Sequence, residues 1–123
     1  MFSAAKREGA DVRLMIPGQP VPASRPRVTK NGTYIAPRYA QWLRDARWLA
    51  RDQYRGPVIT GPVQVRIQCF GARANSDVDN LIKGPLDALT GIVYADDRQV
   101  EYVSLMRIAA KGSKRIEIEV TQA

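Results

Sequence analysis

From residue 63 to residue 69 apolar and polar side chains alternate without a break, with Val63, Val65, Ile67 and Cys69 against Gln64, Arg66 and Gln68. Successive side chains of an extended chain point to opposite faces, so this period of two commits the segment to a strand buried on one face. Ile116, Ile118 and Val120 repeat the pattern against Arg115, Glu117 and Glu119. Residues 12–16 read as a further strand stopped by Pro17-Gly18, and 98–110 as another, joined to the last one at Lys111-Gly112-Ser113-Lys114. A half-buried sheet needs a covering layer, and two helical segments supply it. Tyr39, Trp42, Leu43, Ala46, Leu49 and Ala50 recur at three- and four-residue spacing, which predicts a helix opened by Pro37 and ended before Gly56-Pro57. Val78, Leu81, Ile82, Leu86 and Leu89 form the stripe of a second helix over 78–90, with Gly91 as its stop and Gly84-Pro85 predicting a kink just after Lys83. Asn31-Gly32 is a favoured hairpin turn and predicts a small ribbon of 27–30 with 33–35. The order β-α-β-α-β-β predicts an α+β fold. It is a mixed sheet of about four strands with two main helices, in a single domain over 1–123 whose residues 1–10 are a flexible start.

What is missing narrows the chemistry. The 123 residues include no histidine and one cysteine, Cys69. Ser-His-Asp and Cys-His catalysis, histidine metal sites and thiolate zinc cages are therefore excluded, and Cys69 reads as a small core residue. No apolar run approaches the roughly 20 residues of a membrane span. The first residues lack the charged-then-apolar order of a signal peptide, so the expected location is the cytoplasm. Hydrolytic chemistry in such a chain has to rest on carboxylates, lysine and a hard cation.

The formal charge is +7, yet residues 77–101 carry six acids against Lys83 and Arg98. Basic surroundings attract a phosphate backbone while an acidic pocket retains a cation, as a metal-dependent nuclease requires. A generically basic protein with a solvated acidic loop has the same composition. The informative stretch is Asp77-Val78-Asp79-Asn80-Leu81-Ile82-Lys83, followed by Asp96-Asp97. Asp77 and Asp79 fall where a turn meets a helix start, and a third carboxylate from the Asp96-Asp97 loop is expected to fold back over them. Oxygen-only ligands select Mg²⁺ or Mn²⁺ over zinc. Lys83 can set its ammonium against a phosphate, and Asn80 can hold a carboxylate or a water. Plainer readings stand beside these. Asp77 or Asp79 can be an N-cap, Asp79 and Lys83 an exposed i,i+4 pair, Asp96-Asp97 a solvated turn, and the arginines of the first helix a solvated face.

Taken together, Asp77-Val-Asp-Asn-Leu-Ile-Lys83, Leu86-Asp87-Ala88-Leu89-Thr90-Gly91 and Tyr94-Ala-Asp-Asp-Arg-Gln-Val100 resemble the RusA-type crossover junction endodeoxyribonucleases. The match runs from roughly residue 14 to 120 and takes in Arg25-Pro26-Arg27 and the region from Tyr34 to Trp42. The resemblance implies a homodimeric, Mg²⁺-dependent resolvase of Holliday junctions, of a kind often encoded by phages and prophages, working in recombination and repair at the nucleoid. The functional set it implies is Asp77, Asp79, Asp97 and Lys83, with Asp96 a possible further ligand. Gly84-Pro85 departs from the smoother helix usual in the family and bears on the direction of Lys83. On this reading Arg25, Arg27, Lys30 and Arg73 are candidates for phosphate contacts, and Tyr34 or Tyr39 packs against a sugar or fills the core. The competing expectations are a branched-DNA-binding protein without turnover and a less selective nuclease of flaps or forks.

Overall fold

The computed structural model describes residues 11–24, 26–34 and 36–123. Its elements are β1 (Val12–Pro17), β2 (Arg27–Thr29), β3 (Gly32–Tyr34), α1 (Pro37–Gln53), β4 (Val63–Phe70), α2 (Val78–Leu89), β5 (Val100–Ile108) and β6 (Arg115–Gln122). A single 3-10 turn, Asp97–Gln99, leads into β5. The α+β class and the mixed four-stranded sheet are as the alternation predicts, with β2 and β3 forming the expected small ribbon around Gly32. Ile35, assigned to that ribbon from sequence, and residues 1–10 lie outside the described residues.

The sheet order is β1-β6-β4-β5. β6 lies antiparallel between β1 and β4, pairing Leu14 with Ile118 and Ile118 with Ile67. β5 runs parallel to β4, pairing Val65 with Val103 and Ile67 with Leu105. A parallel neighbour needs a crossover, and α2 is that crossover. It leaves the Phe70 end of β4, returns over one face of the sheet and delivers the chain to the Val63 end, where β5 begins.

Alternation decides which face the helices cover. Val63, Val65, Cys69, Ile118 and Val120 are fully buried and pack with Ala46, Ala50, Leu81, Ala88 and Leu89 from the two helices. Gly84 lies against Trp42, where an added Cβ would come 3.2 Å from the ring. Pro85 is buried inside α2, which continues unbroken to Leu89. The missing N–H of Pro85 removes one rung of the ladder without ending the helix, because Gly84 sits against Trp42 of α1 and packing holds the turn. Beyond it Gly91 takes φ +83, a conformation glycine adopts at little cost, and turns the chain back.

The opposite face of the sheet carries charge in compensated form. Glu117 is 1% exposed and is paired with Arg115 at 2.7 Å, and the Arg115 guanidinium lies 3.8 Å over the ring of Phe70. The two edges of the sheet differ. The Gln53 side chain accepts from the Met15 N–H at 2.8 Å and donates to the Met15 carbonyl at 2.7 Å, so the last turn of α1 occupies the edge of β1. No described strand lies beyond β5.

Burial pushes the Cys69 thiol up from 9.0 to about 11, with Arg107 opposing only in part. Burial disfavours the thiolate, so the associated stability is complete below pH 9 and falls as pH rises from there toward 11. Native protein at pH 8 is expected to leave an aromatic disulfide reagent unreacted and to release one equivalent of thiolate once urea unfolds it. Prompt reaction of the native chain would contradict the packing of β4.

Candidate active site

The loop between β4 and α2 presents the paired aspartates. Asp77 has extended backbone and caps α2, its Oδ1 accepting from the Asp79 N–H at 3.0 Å. Capping satisfies one of the helix's orphan donors, and both carboxylates gain from the positive end of the helix dipole. Asp77 and Asp79 are exposed, and among the described residues the second oxygen of Asp77 and both oxygens of Asp79 accept no bond. The N-cap role and the open oxygens are compatible, since a carboxylate offers about four lone-pair sites.

Two contacts from distant segments shape this end of the molecule. Arg107, near the end of β5, donates to the carbonyls of Ser76 at 3.1 Å and Arg73 at 2.7 Å, which fixes the loop ahead of Asp77. The Ala23 N–H donates to the Asn80 carbonyl at 2.9 Å, pinning the proline-rich loop that leads to the β2–β3 ribbon against the first turn of α2. Lys30 on the ribbon and Arg73 beside the aspartates are exposed. Arg27 begins β2, and Arg25 lies outside the described residues.

Lys83 is one turn beyond Asp79, but its ammonium reaches forward to Asp87 Oδ1 at 3.4 Å rather than back. The exposed Asp79–Lys83 pair anticipated as an alternative is therefore not formed. Asp87 is doubly engaged, because its Oδ2 accepts the Tyr39 hydroxyl at 2.8 Å. Burial first, and then the bond to Asp87 and its charge, push the Tyr39 phenol far above its ordinary range. Tyr39 is thus a core residue with a polar tip that orients Asp87. Arg47 also turns inward and donates to the carbonyls of Asp87 and Thr90, both at 2.9 Å, at the C-terminal end of α2. Arg44 bonds to Gln41 of its own helix and Arg55, just past the end of α1, to Asp52, as a solvated face would.

Asp97 is elsewhere. It opens the 3-10 turn ahead of β5, and Val100 pairs with Val63 at the beginning of β4. Asp77 follows the other end of β4. A helix of the length of α2 covers about 18 Å at 1.5 Å per residue, and Asp97 follows the far end of α2 from the aspartate pair. The neighbours of Asp97 agree with this. Tyr94 bonds the Leu86 carbonyl at 3.2 Å, and its phenol is raised far above the ordinary range. Burial is the main cause, the Thr90 bond opposes it, and the charges of Asp97 and Asp87 add to it. Among the described residues no three Asp, Glu or Cys side chains gather into a group able to hold a metal. Convergence of Asp77, Asp79 and Asp97 within one chain, as expected from sequence, is not the arrangement found. The reason is topological, since a parallel crossover puts the start of its helix and the start of its second strand at opposite ends of the sheet.

Asp96 and Asp97 differ sharply. Asp96 Oδ1 accepts from the Arg98 N–H at 2.9 Å and its Oδ2 from the Arg98 guanidinium at 3.2 Å. The Arg98 amide, followed by its guanidinium, holds Asp96 below the usual carboxylate range. Asp96 is a capping residue and Asp97 is exposed. Sequence reasoning passed over the residue that organises this turn. Gln99 Oε1 accepts from the N–H groups of Ala95 and Asp96, each at 2.9 Å. Its Nε2 donates to the carbonyls of Ile59 at 2.9 Å and Gly61 at 2.8 Å. The Asp-x-x-Gln spacing of a capping box was the signal available.

Comparison with known proteins gives this geometry a context. The family described as Endodeoxyribonuclease RusA matches residues 17–121. The chain belongs to the RusA endodeoxyribonuclease family. It is similar to the crossover junction endodeoxyribonuclease RusA of Aquifex aeolicus (strain VF5), with 26% identity over 118 residues covering 92% of this chain and 93% of the relative. It is also similar to the uncharacterized protein YqaN of Bacillus subtilis (strain 168), with 25% identity over 137 residues covering 90% and 96% of the two chains. The family match spans β2 through β6 and includes both aspartate segments. No helix among the described residues is long and apolar enough to cross a membrane.

Removing the four bonds of Gln99 leaves two carbonyls and two amides short of partners, and net values of about 0.5–1.5 kcal/mol apply to each such bond. Gln99→Met is expected to lower stability by about 2–4 kcal/mol, read as a reduced urea midpoint at unchanged slope. A midpoint equal to that of the parent chain would remove Gln99 from this role.

Proposed function

We propose that this member of the RusA family is a dimeric, divalent-cation-dependent endonuclease that cuts four-way DNA junctions. The observation that carries the reading is the Asp77–Asp79 pair, held at the start of α2 with open carboxylate oxygens beside exposed basic groups. The relative from Aquifex aeolicus bears the name of a crossover junction enzyme over nearly its whole length, which favours junctions over flaps or simple forks. A pure binding protein gains nothing from acidic oxygens turned toward phosphate, which disfavours a role without turnover.

The donor set suits a hard cation, Mg²⁺ with Mn²⁺ as a substitute, because every available ligand is a carboxylate oxygen. When bound, such an ion polarises a phosphoryl oxygen and acidifies a water. Asp77 and Asp79 supply the oxygens, and the capping bond from the Asp79 N–H orients Asp77. Lys83, tethered to Asp87, places a positive charge one turn from the pair, within reach of a phosphate lying along α2. Arg25, Arg27, Lys30 and Arg73 position the backbone without reading bases. Two carboxylates alone hold magnesium sparsely, and Asp97 of the same chain follows the far end of α2. A second copy resolves this if its Asp97 completes the cage, so that each site takes the aspartate pair from one subunit and Asp97 from the other. Two such sites match the two cuts that separate a junction.

Asp79→Asn is expected to retain junction binding and to abolish cutting in Mg²⁺. The shared arrangement makes a sharper forecast, namely that Asp79→Asn and Asp97→Asn chains, each inactive alone, recover nicking when mixed and allowed to exchange subunits. One site of the mixed dimer is then intact and the other carries both defects. Wild-type cutting by Asp79→Asn would remove that residue from the mechanism, and a mixture as inactive as its components would refute sharing.

A further inference from the structure

Lys83 has an acid four residues away on either side, Asp79 before it and Asp87 after it. At this spacing a helix favours the acid on the N-terminal side of the lysine, so α2 in isolation would pair Lys83 with Asp79. The fold reverses that preference, and the ammonium goes to Asp87. We propose that Asp87 is a positioning residue, which draws Lys83 forward and thereby keeps Asp79 clear of an internal ion pair and open to a cation. This rests on the cation-dependent reading above and names residues outside the ligand set that govern it.

The reversal is built from α1. Gly84 stands where two rings press on α2, and an added Cβ would come 3.2 Å from Trp42 and 3.6 Å from Tyr39. The rings stack on each other with centroids 6.0 Å apart, and Tyr39 is buried, so its phenol is fixed in place. From there the hydroxyl donates to Asp87 Oδ2 at 2.8 Å, while Oδ1 meets Lys83 at 3.4 Å. Burial, then the bond to Asp87 and its charge, keep Tyr39 protonated, so it remains a donor. The Gly84-Pro85 interruption of the helix pattern thus acquires a role. The missing side chain of Gly84 admits the aromatic pair that orients the carboxylate three residues on.

Electrostatics favour the same choice. Asp87 lies in the last turn of α2, Leu86-Asp87-Ala88-Leu89, where the helix dipole penalises a carboxylate and no base belongs to the turn itself. Its charge depends on donors brought to it, the Tyr39 hydroxyl and the Lys83 ammonium. Asp79 lies in the first turn, where the dipole already favours it. The Asp87 side chain is 30% exposed, so its pair with Lys83 is screened less than one at the exposed Asp79. An ammonium on Asp79 would compete with a metal ion for the same oxygens; held on Asp87, it does not.

The test uses the full chain without DNA and reads Mn²⁺ binding from the electron paramagnetic resonance signal of the free ion. The binding to follow is that which Asp79→Asn abolishes. Asp87→Asn is expected to weaken it by about two- to fivefold, the range that an exposed carboxylate–ammonium pair supplies. Tyr39→Phe keeps the ring and its packing and weakens binding in the same direction, by less. The deciding arm adds Lys83→Met. In that background Asp87→Asn has no lysine to release, and the chains with and without it are expected to bind Mn²⁺ alike. A carboxylate acting through its charge alone would weaken binding equally with and without Lys83, and equal losses overturn the proposal. So does an Asp87→Asn chain that binds Mn²⁺ as the parent does. If Asp87→Asn fails to fold, the same cycle with Tyr39→Phe decides. The failures are separable. A chain that shows the predicted coupling but never cuts a junction sinks only the nuclease reading. Mn²⁺ bound equally by the parent and Asp79→Asn sinks the aspartate site, and this inference with it.

Discussion

The parallel pairing of β4 with β5 governs the rest of this molecule. Because the two strands run the same way, the chain between them must travel the length of the sheet, and α2 is the shortest regular route. That single requirement places the capped start of α2 at one end and the turn bearing Asp97 at the other. It also brings the end of β5 close enough for Arg107 to brace the loop ahead of Asp77. The acidic groups are thus arranged by topology first and by local chemistry second.

Local chemistry then decides what each carboxylate is free to do. Asp96 is spent on Arg98 and the cap of its turn, and Asp87 on Tyr39 and Lys83. Asp77 gives one oxygen to its helix, while Asp79 gives none to any described group. The division has a simple logic. Carboxylates that hold structure are surrounded by donors, and those facing solvent beside a helix start are held by geometry alone, open to a cation and to the phosphate it would bring.

Much of the fold was legible from alternation and periodicity, because in this chain burial is one-sided. Val63 to Cys69 buries one parity of residues, Ile116 to Val120 does so with Glu117 as the buried exception, and the two helices bury one stripe. Those are the patterns that side-chain direction imposes. The N-cap role of Asp77 and the stop at Gly91 were readable for the same local reason. What escaped was non-local. Nothing in residues 98–110 declares that their strand lies parallel to β4 and at the edge, and without that fact Asp97 is easily drawn toward Asp77. Lys83 had two acids at four-residue spacing, Asp79 and Asp87, and its choice depends on Tyr39 arriving from another helix to fix Asp87. Gln99 reads as an ordinary polar residue until Ile59 and Gly61 are brought beside it by the fold.

The clamp of Gln53 on Met15 has a consequence for how large an assembly this chain can build. A sheet with two receptive margins can add neighbours at both, and such growth has no natural end; it yields fibrils. Here one margin is closed by a side chain from the chain's own helix. The glutamine thereby withholds that margin from strand addition and guards the sheet against open-ended growth.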